Sequence, residues 1–110
     1  MTQRLPYKVK RREPIVDTGE VRVTQFTLDQ GECVPWHHHS VISDTFVCIE
    51  GPMQIRTRGP AETRLLQQGD RTTVKAGMPH RVSGLDDAPC SFVIVQGIGR
   101  YDYIADAQEE

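Results

Sequence analysis

The sequence predicts an all-β domain, an antiparallel sandwich or barrel, and three observations carry that reading. Turn-forming residues recur at short intervals, and the gaps between them are strand-sized and rich in β-branched and aromatic residues. No long segment repeats apolar residues at the i, i+3, i+4, i+7 spacing of an amphipathic helix. The turns are Asp17-Thr18-Gly19, Asp29-Gln30-Gly31, Gly51-Pro52, Gly59-Pro60, Gln68-Gly69-Asp70, Ala76-Gly77-Met78-Pro79 and Asp86-Asp87-Ala88-Pro89. Between them, residues 21–28, 45–49, 53–57, 71–74 and 90–95 read as strands, several of which alternate apolar with polar side chains. Many short strands close into a sandwich or barrel because closure limits unpaired sheet edges.

At 110 residues and 12.4 kDa the chain has the size of one domain. We divide it into an N-terminal arm or strand over residues 1–20, a barrel core over 21–97 and a C-terminal tail over 98–110. With 37% hydrophobic and 25% charged residues, the composition is that of a chain that folds around its own core. Thirteen basic against fifteen acidic residues leave a net charge of −2, which argues against a nucleic-acid partner held by phosphate contacts. Residues 31–49, the least charged stretch, are interrupted by three histidines and Asp44, so no membrane span is expected. The first residues show no apolar run with a cleavage site, which makes a cytoplasmic location the expectation. Cys33, Cys48 and Cys90 are odd in number and widely spaced, and read as reduced thiols serving as small core residues.

The ends differ in charge. Arg4, Lys8, Lys10, Arg11 and Arg12 lie near the start, and Asp102, Asp106, Glu109 and Glu110 near the finish. They read as solvated termini, with exchange of an N-terminal strand between subunits as the alternative.

All four histidines fall in two clusters, Pro35-Trp36-His37-His38-His39-Ser40 and Gly77-Met78-Pro79-His80. On an extended strand His37 and His39 share one face and His38 takes the other, so the first two can chelate one metal. Asp44 lies an odd five positions beyond His39 and rejoins that face only if residues 40–43 form a turn or bulge. Its short arm leaves two roles open, metal ligand or acceptor for an imidazole N–H. His80 would complete the set from a distant part of the chain. Trp36 shares the His38 face and is expected in the core or at an interface. In residues 53–58, Gln54, Arg56 and Arg58 share a face, and Arg56 could grip a substrate carboxylate if that face looked inward; the other reading is a solvated outer face. Phe46 and Cys48, at even offsets from Asp44, are candidates for the apolar wall of its cavity. Tyr101 and Tyr103 are read as part of an ordinary terminal strand, with a folded-back lid as the alternative.

The segment from Gly31 through His37, His39 and Asp44 to Gly51 resembles the first motif of the cupin superfamily: glycine, five residues, His-x-His, three or four residues, glutamate, six residues and glycine. Residues 69–84 are similar to the second motif, with Gly69, Gly77 and His80 at the expected spacing. Three positions depart from it: Asp44 stands for glutamate, Lys75 for proline and Gly84 for asparagine. The resemblance implies a single-domain double-stranded β-helix, the jelly-roll barrel of small cupins. It implies His37, His39 and His80 as ligands, Asp44 as a fourth ligand or a base, and one divalent transition metal per subunit. Fe, Mn, Ni, Cu and Zn all suit such donors. It further implies a homodimer and a small-molecule substrate, which the Arg56 reading would make anionic. Three function classes are then open: a metalloenzyme, either an oxygenase or a lyase or isomerase; a non-catalytic binding module; and a structural protein, which leaves three clustered histidines without a packing reason.

Overall fold

The computed structural model describes residues 5–108. Its ten strands are β1 (Arg11–Asp17), β2 (Arg22–Leu28), β3 (Cys33–His38), β4 (Ser43–Glu50), β5 (Met53–Thr57), β6 (Glu62–Leu66), β7 (Arg71–Val74), β8 (His80–Gly84), β9 (Cys90–Gly97) and β10 (Ile104–Ala105). All pair antiparallel in two five-stranded sheets, ordered β1-β2-β9-β4-β7 and β10-β3-β8-β5-β6. The all-β, jelly-roll expectation is met. Among the described residues no helix is long and apolar enough to cross a membrane.

The five segments read as strands lie in β2, β4, β5, β7 and β9. β1, β3, β6, β8 and β10 lie outside those five segments, β1 within the stretch read as an N-terminal arm or strand. β1 carries Arg11, Arg12, Glu13 and Pro14, a composition that hides a strand by the usual propensities but suits a sheet edge, where charge and proline discourage further pairing.

Alternation decides what faces inward. In β5, Met53, Ile55 and Thr57 are buried while Gln54 and Arg56 are half-exposed. In β2 and β4 the inward sets are Thr24, Phe26, Leu28 and Asp44, Phe46, Cys48. Register aligns these sets into rows across the sheets. Arg22, Gln96, Asp44 and Val74 form one row of the first sheet, and Phe26, Phe92 and Cys48 another. In the second sheet His37, His80 and Thr57 are aligned, with Val34, Val82 and Ile55 beside them. The core is the apolar part of these rows: Phe26, Leu28, Val34, Phe46, Cys48, Met53, Ile55, Val82, Cys90, Phe92 and their neighbours. Phe26 and Phe92 stack with ring centres 5.6 Å apart.

One glycine before β8 and one at its last position shape its ends. Gly77, at φ +84°, turns the chain before His80, and its N–H donates to the His39 carbonyl at 2.7 Å, tying the two histidine segments together. At Gly84 a Cβ would overlap the Ala88 carbonyl oxygen, so this close approach admits glycine where the cupin motif has asparagine.

Candidate metal centre

β3 delivers His37 inward and His38 outward, as alternation requires. The outward ring is half-buried and its Nδ1 donates to the Asp106 carboxylate at 2.9 and 3.0 Å. The register of β3 against β8 shifts between Val34 and His37, an irregularity that buries Trp36 and His37 in succession. His39 follows β3 and is buried. His80 opens β8 directly opposite His37, the two ring centres 4.3 Å apart. Asp44 comes from the other sheet: residues 40–42 turn the chain so that β4 returns with Asp44 facing the histidines. One ligand atom from each of His37, His39, Asp44 and His80 lies within 4.8 Å of the other three, and all four residues are buried.

Backbone carbonyls orient the three rings. His37 Nδ1 donates to Pro35 O at 2.7 Å, His80 Nδ1 to Met78 O at 2.9 Å, and His39 Nδ1 to Asp102 O. A carbonyl only accepts, so each Nδ1 carries the proton and each Nε2 is left as the electron-pair donor. Asp44 Oδ2 lies 3.1 Å from His39 Nε2 and 2.9 Å from His80 Nε2, while its Oδ1 accepts from Gln96 Nε2 at 2.9 Å. Electron pairs facing a carboxylate at such distances need a positive charge between them. Either a proton or a metal cation supplies it, and a metal satisfies all four donors at once. The donor set fits a divalent transition metal: three imidazole nitrogens and one carboxylate, each with its other polar atom anchored.

The electrostatics follow the same pattern. Burial pushes the Asp44 carboxyl up, but the His39 and His80 rings against its Oδ2 outweigh it and hold the group well below the usual carboxylate range. Burial pulls His39 down, yet the bond to Asp44 and the charges of Asp44 and Asp102 lift it above its ordinary value. His37 is pulled down to about 3, by burial first and then by His80, against the opposing bond to Pro35.

Both termini cover the site. Tyr103 stacks on His37 at 4.6 Å between ring centres and on Tyr7 at 5.9 Å, and Tyr101 lies 5.3 Å from His39. The Arg22 guanidinium sits 3.7 Å over the Tyr101 ring. Asp102 accepts from the Ser40 N–H at 2.9 Å and from its hydroxyl, which pins the tail across the turn between β3 and β4. The chamber beneath is lined on its apolar side by Phe26, Val34, Phe46, Val82 and Ile94, and its free volume is about 30 Å³.

Several expectations change here. Tyr101 and Tyr103 precede the short strand β10 and fold over the histidines, so the terminal-strand reading fails for them. Asp102 and Asp106 are bound to Ser40 and His38 rather than merely solvated, and Arg12 lines the chamber. Arg4, Glu109 and Glu110 lie outside the described residues. Arg56 is not at the chamber: it stands on the outer face of the second sheet opposite Arg81, beside a surface groove shared with Trp36 and Gln54. The inward positions of β5 are taken by Met53, Ile55 and Thr57, which leaves its arginine outside. Phe46 does line the chamber, whereas Cys48, two residues deeper on the same face, belongs to the core. Trp36 is buried, with the Arg58 guanidinium 3.8 Å over its ring. The tyrosines and the chamber arginines gave little sequence signal; only the pairing of tyrosines around Asp102 hinted at them.

The profile of the Cupin domain family matches residues 24–96. Among solved structures, the chain is similar to an uncharacterized conserved protein with a double-stranded β-helix domain from Klebsiella pneumoniae, at 25% identity over 86% of each chain and a TM-score of 0.69. KdgF from Halomonas sp. matches at 16% identity over 87% of this chain and 88% of that one, with a TM-score of 0.70. An oxalate oxidase matches in fold at 12% identity over 78% of this chain and 46% of its own, with a TM-score of 0.69. No curated protein sequence matches.

Proposed function

The chain belongs to the Cupin domain family, and we propose that within it this protein is a mononuclear metalloenzyme acting on a small molecule at His37, His39, Asp44 and His80. One observation supports this above the others: three Nδ1 atoms are tied to backbone carbonyls, so that three Nε2 donors are presented at the buried carboxylate of Asp44. Such a constellation costs folding energy, because four polar side chains are removed from water, and it has no packing purpose.

A divalent metal held there supplies Lewis acidity, and a redox-active one also supports dioxygen chemistry. The chain's own residues do the rest. Gln96 and the two imidazoles fix the Asp44 carboxylate. Tyr101 and Tyr103 pack against the histidines, and Tyr7 stacks on Tyr103. Their phenols are held protonated by burial, Tyr103 with its pKa pushed up to about 12, so they serve as hydrogen-bond donors rather than bases. That leaves no strong general base beside the metal except Asp44, which its partners hold ionised. Both the oxygenase and the lyase or isomerase reading remain within this proposal.

Metal analysis of protein purified without an affinity tag or added metal tests the reading. One metal per chain is expected, absent from His80→Ala; a well-folded wild type that takes up no divalent metal overturns it. An oxygen-uptake screen of the loaded protein against small metabolites then separates the two reaction classes.

A further inference from the structure

We infer that the chamber takes the carboxylate group of a small molecule, held between the histidine cluster and Arg12. The inference deepens the metal-centre reading and rests on it for the positive charge of the chamber floor.

Arg12 occupies an unusual place. In β1 it pairs opposite Phe26, an inward-facing core residue, so the guanidinium is directed to the interior side of the sheet. Its β1 neighbours are exposed while Arg12 is half-buried, and it lines the chamber. Among the described residues no carboxylate pairs with it. The other charged groups facing this space are already engaged. Arg22 pairs with Asp17 at 3.8 Å and lies on the Tyr101 ring, and Asp44 is taken by His39, His80 and Gln96. With a divalent ion on the floor, the chamber carries an excess of positive charge that only an anion can offset.

Shape and lining select the kind of anion. Guanidinium matches a planar carboxylate with two parallel hydrogen bonds, and a partly apolar wall suits an anion that carries a hydrocarbon part rather than inorganic phosphate. The apolar wall of Phe26, Phe46, Val82 and Ile94 then faces the hydrocarbon part of the molecule. The competing reading of an inward arginine on an edge strand is protection against edge-to-edge aggregation.

The test uses the full-length protein loaded with Zn(II) as a diamagnetic ion, titrated at constant ionic strength with acetate, acetamide and inorganic phosphate. Binding is followed by NMR at the Arg12 Nε–H signal and, for variants, at backbone amides of the chamber. We expect saturable acetate binding, with acetamide and phosphate weaker by about tenfold or more. Arg12→Gln should weaken acetate about tenfold at unchanged zinc stoichiometry and unchanged amide spectrum, and Arg12→Lys should restore part of the loss. Equal acetate binding by Arg12→Gln, equal binding of acetamide, or no saturable acetate binding overturns the inference, and the first of these favours edge protection. Tighter phosphate binding overturns the assignment to carboxylates. Failure of the wild type to take up zinc sinks the metal-centre reading instead, since an Arg12-dependent preference for acetate over acetamide is still measurable in that protein.

Discussion

The two ends of the barrel interior are built from the same strands and have opposite characters. Along β4, Asp44, Phe46 and Cys48 face inward in succession, each about 7 Å from the next. Asp44 ends in a cluster of three histidines and a glutamine, whereas Cys48 lies in the apolar core opposite Phe92. β3 and β8 repeat the change within a few residues, from His37 and His80 to Val34 and Val82. At the apolar end the interactions are nondirectional and large in sum. At the polar end every ring is held by a specific acceptor, and the pairs gain only what exceeds their desolvation. Stability is therefore concentrated at one end and chemistry at the other, which makes the two separable by mutation.

The largest effect should come from the polar end. His37→Ala or His80→Ala should abolish stoichiometric metal binding while the apo protein stays folded, as read by metal analysis beside circular dichroism; loss of fold in both would mean that the ends are not separable. Phe92→Ala should do the reverse. It removes a fully buried ring stacked on Phe26 and should cost about 3–5 kcal/mol in urea unfolding, with one metal per folded chain retained.

Asp44→Asn sharpens the boundary. If the carboxylate acts chiefly as a partner of the rings, metal affinity should fall about 10–100-fold in a titration of apo protein. Loss as complete as that of a histidine variant would make Asp44 a full ligand.

The thiols probe the apolar end. Burial, then the neighbouring Cys48, pushes the Cys90 thiol up to about 12, and burial raises Cys48 as well. A thiol reagent at about pH 8 should therefore modify half-buried Cys33 and leave the other two intact until the chain unfolds. The linked effect on stability has a definite sign. Above about pH 8.5 the unfolded chain releases thiol protons that the folded chain retains, so these thiols make the unfolding free energy decline as pH rises toward about 12. Cys90→Ala should flatten that decline. The smallest effect belongs to His38→Ala, since that ring faces Asp106 outside the chamber: metal affinity should change by about twofold or less in the same titration.

How much of this was legible in the sequence differs between the two ends as well. The apolar end follows from alternation alone, because burying one face of a strand selects every second residue. His37 and His39 were legible for the same reason, and Asp44 only through the assumption that residues 40–43 turn the chain. Arg56 shows the limit of such reasoning. Alternation told which residues share its face, and not whether that face looks in or out; in β5 the apolar set claimed the interior. β1 was obscured by the charges and proline that suit it to an edge.

By itself the sequence determined the class of the fold, the faces of its strands and the residue types able to hold a metal, since these depend on local periodicity and on donor chemistry. Only the tertiary structure decided which end of the barrel is polar, that Tyr7, Tyr101 and Tyr103 close it, and that Arg12 rather than Arg56 faces the chamber. Those outcomes depend on cross-strand register and on where the termini pack, interactions between residues as far apart as 12 and 101, for which local pattern carries no signal.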